Sequence, residues 1–123
     1  MQQFDLIIIG GGPGGYLCAE RAGKAGLKPA LIEKRALGGA CLNEGCIPTK
    51  SLLYCAKQYQ SALHGADYGV TAENVSFDHA KAVLRKDGVV KTLVRGVGSA
   101  MKAHGVTVFS AEGRILSKTG EQF

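Results

Sequence analysis

Hydrophobic residues in this chain form short continuous runs that alternate with longer stretches of helical spacing. The runs, such as Leu6-Ile7-Ile8-Ile9, are rich in β-branched residues. Such runs are typical of strands buried on both faces of a parallel sheet. We expect strands near residues 4–9, 29–33 and 106–110, and helices near 13–26, 41–63 and 79–104. A loop is predicted at 64–77, with Asp78 as the N-cap of the last helix. The alternation predicts an α/β fold.

A glycine-rich turn separates the first strand from the first helix. Gly10, Gly12 and Gly15 match the spacing G-x-G-x-x-G. In that pattern the first glycine permits a tight turn, the second lets backbone approach phosphate, and the third lets the helix pack close to the strand. Pro13 lies near the first helical turn, whose free N–H groups and positive dipole end suit a pyrophosphate. We predict dinucleotide binding, with a purely structural glycine turn as the alternative.

An acidic residue, Glu33, ends the second apolar run, 18 residues after Gly15. A carboxylate at this place can accept hydrogen bonds from both ribose hydroxyls and disfavours a 2′-phosphate. Lys34 and Arg35 follow it and hint at a phosphorylated ribose, but a solvated basic pair is the favoured interpretation beside Glu33. The acid therefore strengthens the prediction of a dinucleotide site.

Two cysteines, Cys41 and Cys46, are separated by four residues. A disulfide between them would close a very short loop and constrain the unfolded chain little, so it would be a poor structural staple. No secretory leader is visible before the first strand, and the cytoplasmic location that we expect disfavours structural disulfides. We therefore favour a labile redox pair.

Two other interpretations of the cysteines stay open. Structural zinc sites usually need a second cysteine pair or nearby histidines, and the sequence offers neither beside Cys41 and Cys46; we predict no metal. Inert buried thiols are the second alternative. Cys18 and Cys55 lie in predicted helices among apolar neighbours, and we expect them to be small core residues.

Composition narrows the remaining classes of function. The 123 residues fit one domain with a real core. No apolar run approaches the ~20 residues that a membrane span needs. The net charge of +5 is expected to be spread along the chain. No arginine-rich or aromatic–basic pattern supports nucleic-acid binding.

Together, the glycine turn, Glu33 and the segment Gly-Gly-Ala-Cys-Leu-Asn-Glu-Gly-Cys-Ile-Pro-Thr-Lys resemble the flavin-dependent disulfide oxidoreductases. The residues that follow, Ser51-Leu52-Leu53, are most similar to members that oxidise dihydrolipoamide. The resemblance covers residues 4–116. It implies a Rossmann-like, three-layer FAD/NAD(P)-binding fold, with helices on both faces of a truncated parallel sheet.

The resemblance implies FAD, rather than NAD, on the glycine turn. The three motif glycines would face the pyrophosphate, Glu33 would face the adenosine ribose, and the backbone of Gly113 would pass near the adenine. The residues expected to bind FAD are Gly10, Gly12, Pro13, Gly14, Gly15, Glu33, Lys34, Gly39, Ala40, Cys41, Cys46, Lys50 and Gly113.

The same resemblance gives the cysteines separate roles. Cys41 would be the interchange thiol that attacks the sulfur substrate, and Cys46 would face the flavin. Lys50 would lie near the flavin ring, where its charge stabilises reduced flavin and a neighbouring thiolate; a solvated helix lysine is the alternative. Ala40 stands where the family usually has threonine, so one hydroxyl contact with the cofactor is expected to be lost.

Members of this family are several times longer, so residues 1–123 are expected to be the N-terminal part of an FAD-binding domain. The NAD-binding domain, the dimerisation domain and the catalytic base would be absent. The full enzyme would be a homodimer that oxidises dihydrolipoamide on a lipoyl domain of a 2-oxoacid dehydrogenase or glycine cleavage complex, with NAD⁺ as the final acceptor.

Further expectations concern the fragment itself. It should not turn over, and an unpaired edge on its first strand should make it self-associate. The alternative functions are reduction of glutathione-like disulfides or metal ions, and a non-catalytic nucleotide-binding module.

Overall fold

A computed structural model of the chain describes residues 2–117 and 120. The chain forms two compact units. The first comprises Met1–Gly39 and Gly96–Phe123, and the second comprises Ala40–Arg95. Each unit holds one of the two motifs that the sequence analysis identified.

A three-stranded parallel sheet forms the centre of the first unit. Its elements are β1 (Leu6–Ile9), α1 (Pro13–Lys24), β2 (Pro29–Ile32) and β3 (Thr107–Phe109). The strand order is β1-β2-β3, with Leu6 opposite Pro29 and Ala30 opposite Thr107. The three predicted strands and the predicted first helix are therefore confirmed.

The core of the first unit is small and apolar. Ala19 of α1, Leu31 of β2, Met101 and Val106 are buried together, and Ile8 packs against them. The buried residues of α1 are the small alanines Ala19 and Ala22, which allow the helix to approach the sheet closely.

The outer strand, β1, has a free edge. Among the described residues it pairs with β2 alone. Ile7 and Ile9 of this strand are 52% and 51% exposed. The expectation of an unpaired edge at the first strand is confirmed.

Helices make up the second unit. They are α2 (Gly39–Asn43), α3 (Cys46–Leu63), a short 3-10 helix (Gly65–Tyr68) and the first part of α4 (His79–Ala103). The prediction of one helix over residues 41–63 is wrong, because Glu44 and Gly45 interrupt it. The prediction of a plain loop at 64–77 missed the 3-10 turn. Asp78 caps α4 as expected, since its Oδ1 accepts a hydrogen bond of 3.1 Å from the Lys81 N–H.

A polar contact joins α3 to α4. The Nη1 of Arg85 donates a 3.0 Å hydrogen bond to the Oγ of Ser51, which is 7% exposed. The Arg85 guanidinium also lies 5.4 Å from the centre of the Tyr54 ring. One arginine thus contacts two successive turns of α3.

No helix in the described part of the chain is long and apolar enough to cross a membrane.

Candidate functional site

The glycine turn has the tight geometry that the motif predicts at its start. Gly10 has φ +106°, a conformation that residues with side chains rarely adopt. Its N–H donates a 2.8 Å hydrogen bond to the Ile32 carbonyl, which joins the ends of β1 and β2. The turn therefore begins at the carboxyl end of two parallel strands, where ligands bind in open α/β sheets.

The other motif glycines differ in what the surrounding protein requires of them. A Cβ on Gly15 would lie 1.8 Å from the Gly10 carbonyl oxygen, so close packing of α1 on the turn requires glycine. A Cβ on Gly12 would meet only the Gly39 Cα at 3.9 Å, and one on Gly14 would meet nothing within 4 Å. Space therefore lies beside the N-terminal turn of α1.

No side chain caps the N-terminus of α1 by a hydrogen bond. Gly12 is the N-cap, Pro13 occupies the first turn, and that turn carries no acidic residue. The first N–H groups of a helix have no intrahelical acceptors, so they can bind an anion.

A second glycine pair lies against the turn. Gly38 N–H donates a 2.7 Å hydrogen bond to the Gly11 carbonyl. Gly39 has φ +59°, and a Cβ there would lie 2.7 Å from the Gly12 Cα. The predicted site residue Gly39 is therefore placed beside Gly12 by close backbone packing.

The predicted acid is held by backbone donors. The Oε2 of Glu33 accepts a 2.7 Å hydrogen bond from Gly11 N–H, and its Oε1 accepts a 2.7 Å bond from Arg35 N–H. These two bonds, the one from Gly11 first, hold the pKa of Glu33 below its usual value. Each carboxylate oxygen keeps a further lone pair for a ligand. Lys34 beside it is exposed.

Gly113 packs on the sheet. A Cβ at this position would lie 3.2 Å from Ile32 Cγ2 and 3.2 Å from Ile9 Cγ1. The structure thus gives Gly113 a packing reason for being glycine, near the carboxyl ends of β1 and β2. Its predicted contact with adenine stays a prediction.

In the second unit, Cys41 and Cys46 are brought together by the break between α2 and α3. Cys46 is the first residue of α3 and is exposed, whereas Cys41 on α2 is half-buried. Both are free thiols. The break is compact, since a Cβ on Gly45 would lie 3.1 Å from the Ala40 carbonyl oxygen. Two neighbouring free thiols therefore lie at the N-terminus of α3.

The two thiols are electrostatically linked. A side-chain hydrogen bond with Cys46, followed by burial, raises the pKa of Cys41 above its usual value. The Cys46 N–H and the charge of Lys50 act in the opposite direction. Lys50 lies one turn into α3 and is exposed, as is Ala40. In the reduced pair, Cys41 therefore tends to keep its proton.

The two remaining cysteines, Cys18 and Cys55, are not fully buried in a core. Cys18 is exposed and Cys55 is half-buried, so the expectation of a buried Cys18 is wrong. The buried face of α1 is formed by Ala19 and Ala22, and Cys18 lies beside it on the solvent side. Within residues 2–117 and 120, no group of three potential metal ligands is found.

Residues 4–123 match the family described as pyridine nucleotide-disulphide oxidoreductase. This chain belongs to that family. The expected family membership and α/β fold are therefore confirmed.

Several members of the pyridine nucleotide-disulphide oxidoreductase family are similar along nearly the whole chain. The dihydrolipoyl dehydrogenase of Acholeplasma laidlawii is 49% identical over 94% of this chain and 35% of its own length. The proteins of that name from Chlamydia trachomatis and Bacillus subtilis are 44% and 45% identical, over 96% and 93% of this chain. The chain spans about a quarter to a third of the length of these curated relatives.

A solved structure of similar fold is the Cu(II) complex of the HOCl-induced flavoprotein disulfide reductase RclA from Escherichia coli. It is 31% identical, with a TM-score of 0.72, over 91% of this chain and 22% of that chain. The fold of this family member is thus shared with a flavoprotein disulfide reductase.

Two contributors to the site of this family member were missed by sequence reasoning. Gly11 donates to Glu33, and a Cβ on Gly11 would lie 3.0 Å from the Glu33 Cβ. Gly38 has φ +95° and donates to Gly11. Both are glycines in glycine-rich stretches, but neither occupies a glycine position of the G-x-G-x-x-G pattern, so the pattern does not indicate their roles.

Proposed function

We propose that this chain is the N-terminal part of the FAD-binding domain of an enzyme that oxidises dihydrolipoamide. The hydrogen-bonded Cys41–Cys46 pair at the start of α3 is the observation that carries the proposal. The similarity to dihydrolipoyl dehydrogenases at 44–49% identity supports the choice of substrate.

The first unit has the features that FAD requires. Open space beside Gly14 and the uncapped N-terminus of α1 fit a pyrophosphate. The Glu33 carboxylate, fixed by two backbone donors, fits a ribose diol. We assign the pyrophosphate to the turn from Gly10 to Gly15 and the ribose to Glu33. The turn and Glu33 would hold the flavin cofactor, which would supply two-electron redox chemistry between the dithiol and NAD⁺.

The second unit supplies the sulfur chemistry. A substrate thiolate attacks the Sγ of Cys41 in the oxidised pair, which breaks the Cys41–Cys46 bond and releases Cys46 as a thiolate. The second substrate thiolate then attacks its own mixed-disulfide sulfur, closes the lipoamide disulfide and frees Cys41. Two electrons pass from substrate to protein, and the substrate loses two protons. The charge of Lys50, one turn after Cys46, acts to lower the pKa of Cys41.

In the full enzyme we expect a homodimer, located in the cytoplasm, that takes its substrate from a lipoyl domain.

The reaction of the oxidised chain with free dihydrolipoamide tests the proposal. Two thiols per chain should become reactive, and mass spectrometry should locate them at Cys41 and Cys46. Reduced glutathione at equal thiol concentration is the comparison, and it should react more slowly because its attack is not intramolecular in the second step. Failure of dihydrolipoamide to reduce the pair, or preference for glutathione, would contradict the substrate assignment.

A further inference from the structure

The net charge of this chain is concentrated in α4. Six of the 15 basic residues and one of the 10 acidic residues lie between His79 and Ala103. The helix therefore carries a formal charge of +5, and the remaining nine basic and nine acidic residues cancel. The expectation that the charge is spread along the chain is wrong.

An exposed stripe on α4 displays part of this charge, and we name it the α4 basic face. It consists of residues at alternating steps of three and four, which places them on one side of a helix: Lys81, Leu84, Gly88, Lys91 and Arg95. All five are exposed, and the Leu84 side chain is 69% exposed. A Cβ on Gly88 would meet nothing within 4 Å, so the middle of the face is open.

Two of the cations on this face are uncompensated. Lys81 forms an exposed 3.7 Å ion pair with Asp78. Neither Lys91 nor Arg95 forms an ion pair with any residue that the structure describes. The acid of α4, Asp87, borders the face because it lies four residues before Lys91, but its carboxylate pairs with Lys86. A bound partner can therefore gain these two charges without breaking an internal pair.

The helix that carries the face packs against the helix that carries the redox cysteine. Arg85, next to Leu84, donates to Ser51, and Ser51 follows Cys46 by five residues on α3. Five helical residues span roughly 7.5 Å. Leu84, in the N-terminal part of the face, therefore lies on the turn of α4 that contacts α3, within the second unit.

We propose that the α4 basic face docks an acidic surface of the protein domain that carries the dithiol substrate. The inference rests on the proposed function, because it presumes a protein-bound substrate. Lys91 and Arg95 supply charge complementarity, which mainly raises the association rate. Leu84 supplies an apolar contact of the kind that protein partners use. The face contains no aromatic side chain on which the bases of a single-stranded nucleic acid would stack.

The test compares two electron donors on the oxidised chain at low ionic strength. One is free dihydrolipoamide, and the other is a reduced lipoyl domain of net negative charge. The double substitution Lys91→Glu and Arg95→Glu should slow reduction by the domain about tenfold, since steering effects of this size are usual. It should leave the rate with free dihydrolipoamide unchanged. At about 1 M salt the difference should vanish.

Matched controls separate docking from general charge. Lys57→Glu with Arg114→Glu changes the net charge equally at exposed positions on α3 and near the end of the chain, and should slow the domain reaction much less. Leu84→Ser should slow it at every salt concentration. The neutral double substitution Lys91→Gln and Arg95→Gln should slow the domain reaction less than the charge reversal does. It replaces the charge-reversal variant in the test if circular dichroism shows that the latter has lost helix.

Each outcome has one meaning. Equal effects of the α4 and control substitutions, or equal slowing with both donors, would overturn the docking proposal. Charge reversal that abolishes binding of double-stranded DNA but leaves the domain rate unchanged would also overturn it. If free dihydrolipoamide fails to reduce the unsubstituted chain, the proposed function fails instead.

Discussion

At the scale of single residues, the fold requires glycine at some positions of the glycine turn and not at others. Gly10 needs its positive φ, and Gly15 needs the absence of a Cβ that would meet backbone at 1.8 Å. Gly12 and Gly14 have no comparable internal reason. Their missing side chains leave space at a helix N-terminus, which is what a pyrophosphate ligand would use.

The lowered pKa of Glu33 leads to a prediction of how the unfolding free energy depends on pH. Its folded pKa is lowered, so its stabilising effect is present above the ordinary glutamate pKa and is lost as pH falls through the folded value. Glu33→Gln loses one charge-assisted bond and should cost about 1 kcal/mol of unfolding free energy near pH 7. The difference from the unsubstituted chain should shrink below about pH 4. Urea unfolding at both pH values measures this.

A matched control for this change is Glu73→Gln, which removes an exposed carboxylate. It should alter the unfolding free energy by less than about 0.5 kcal/mol at either pH. A Glu33→Gln variant as stable as the Glu73 variant near pH 7 would show that the two backbone bonds contribute nothing.

Sequence reasoning located Glu33 because its signal is local: an acid at the end of a strand, at a fixed distance from a glycine turn. It did not find that Gly11 is the donor to Glu33, since that contact joins residues 22 positions apart. The exposure of Cys18 was missed for a related reason. Apolar neighbours in sequence do not say which side of a helix faces the core.

At the scale of elements, the interruption between α2 and α3 was the main error. Helical spacing continues across residues 41–63, but Gly45 has φ −122° and ψ −105°, outside the helical region. A break of two residues leaves the periodicity nearly unchanged, so pattern alone does not detect it. Its consequence is chemical, because it makes Cys46 the first residue of a helix.

The contact between α3 and α4 leads to a second prediction. Ser51→Ala removes the hydrogen bond to Arg85 but keeps the guanidinium over Tyr54, whereas Arg85→Met removes both. We expect Ser51→Ala to cost about 1 kcal/mol of unfolding free energy and Arg85→Met about 0.5 kcal/mol more. The double variant should cost less than the sum, with a coupling near 1 kcal/mol.

Arg95→Met is the control for this cycle, since Arg95 is an exposed arginine on the same helix. It should change the unfolding free energy by under about 0.5 kcal/mol. Strict additivity of the Ser51 and Arg85 substitutions would mean that the bond does not hold α3 against α4 in solution.

At the scale of the whole molecule, each of the two units holds its own set of expected site residues. The first contains the nucleotide-binding features, and the second contains the thiols and the α4 basic face. The sequence motifs identified both halves, because each is a short local signature. Counting the charged residues of each predicted helix would have shown that α4 is basic. The net charge of +5 for the whole chain does not show where the charge lies.

The free edge of β1 predicts that copies of the chain associate with one another. A strand with unpaired N–H and C=O groups beside half-exposed Ile7 and Ile9 is a template for pairing with another copy. We expect the chain to form dimers or larger species as its concentration rises, as measured by sedimentation velocity. Ile7→Lys should shift the distribution towards monomer, because a lysine on the edge opposes pairing. Ile115→Lys, at an exposed position outside the sheet, should leave it unchanged. A monodisperse monomer at high concentration would show that the edge is not used, and equal effects of the two lysines would assign association to general apolar exposure rather than to strand pairing.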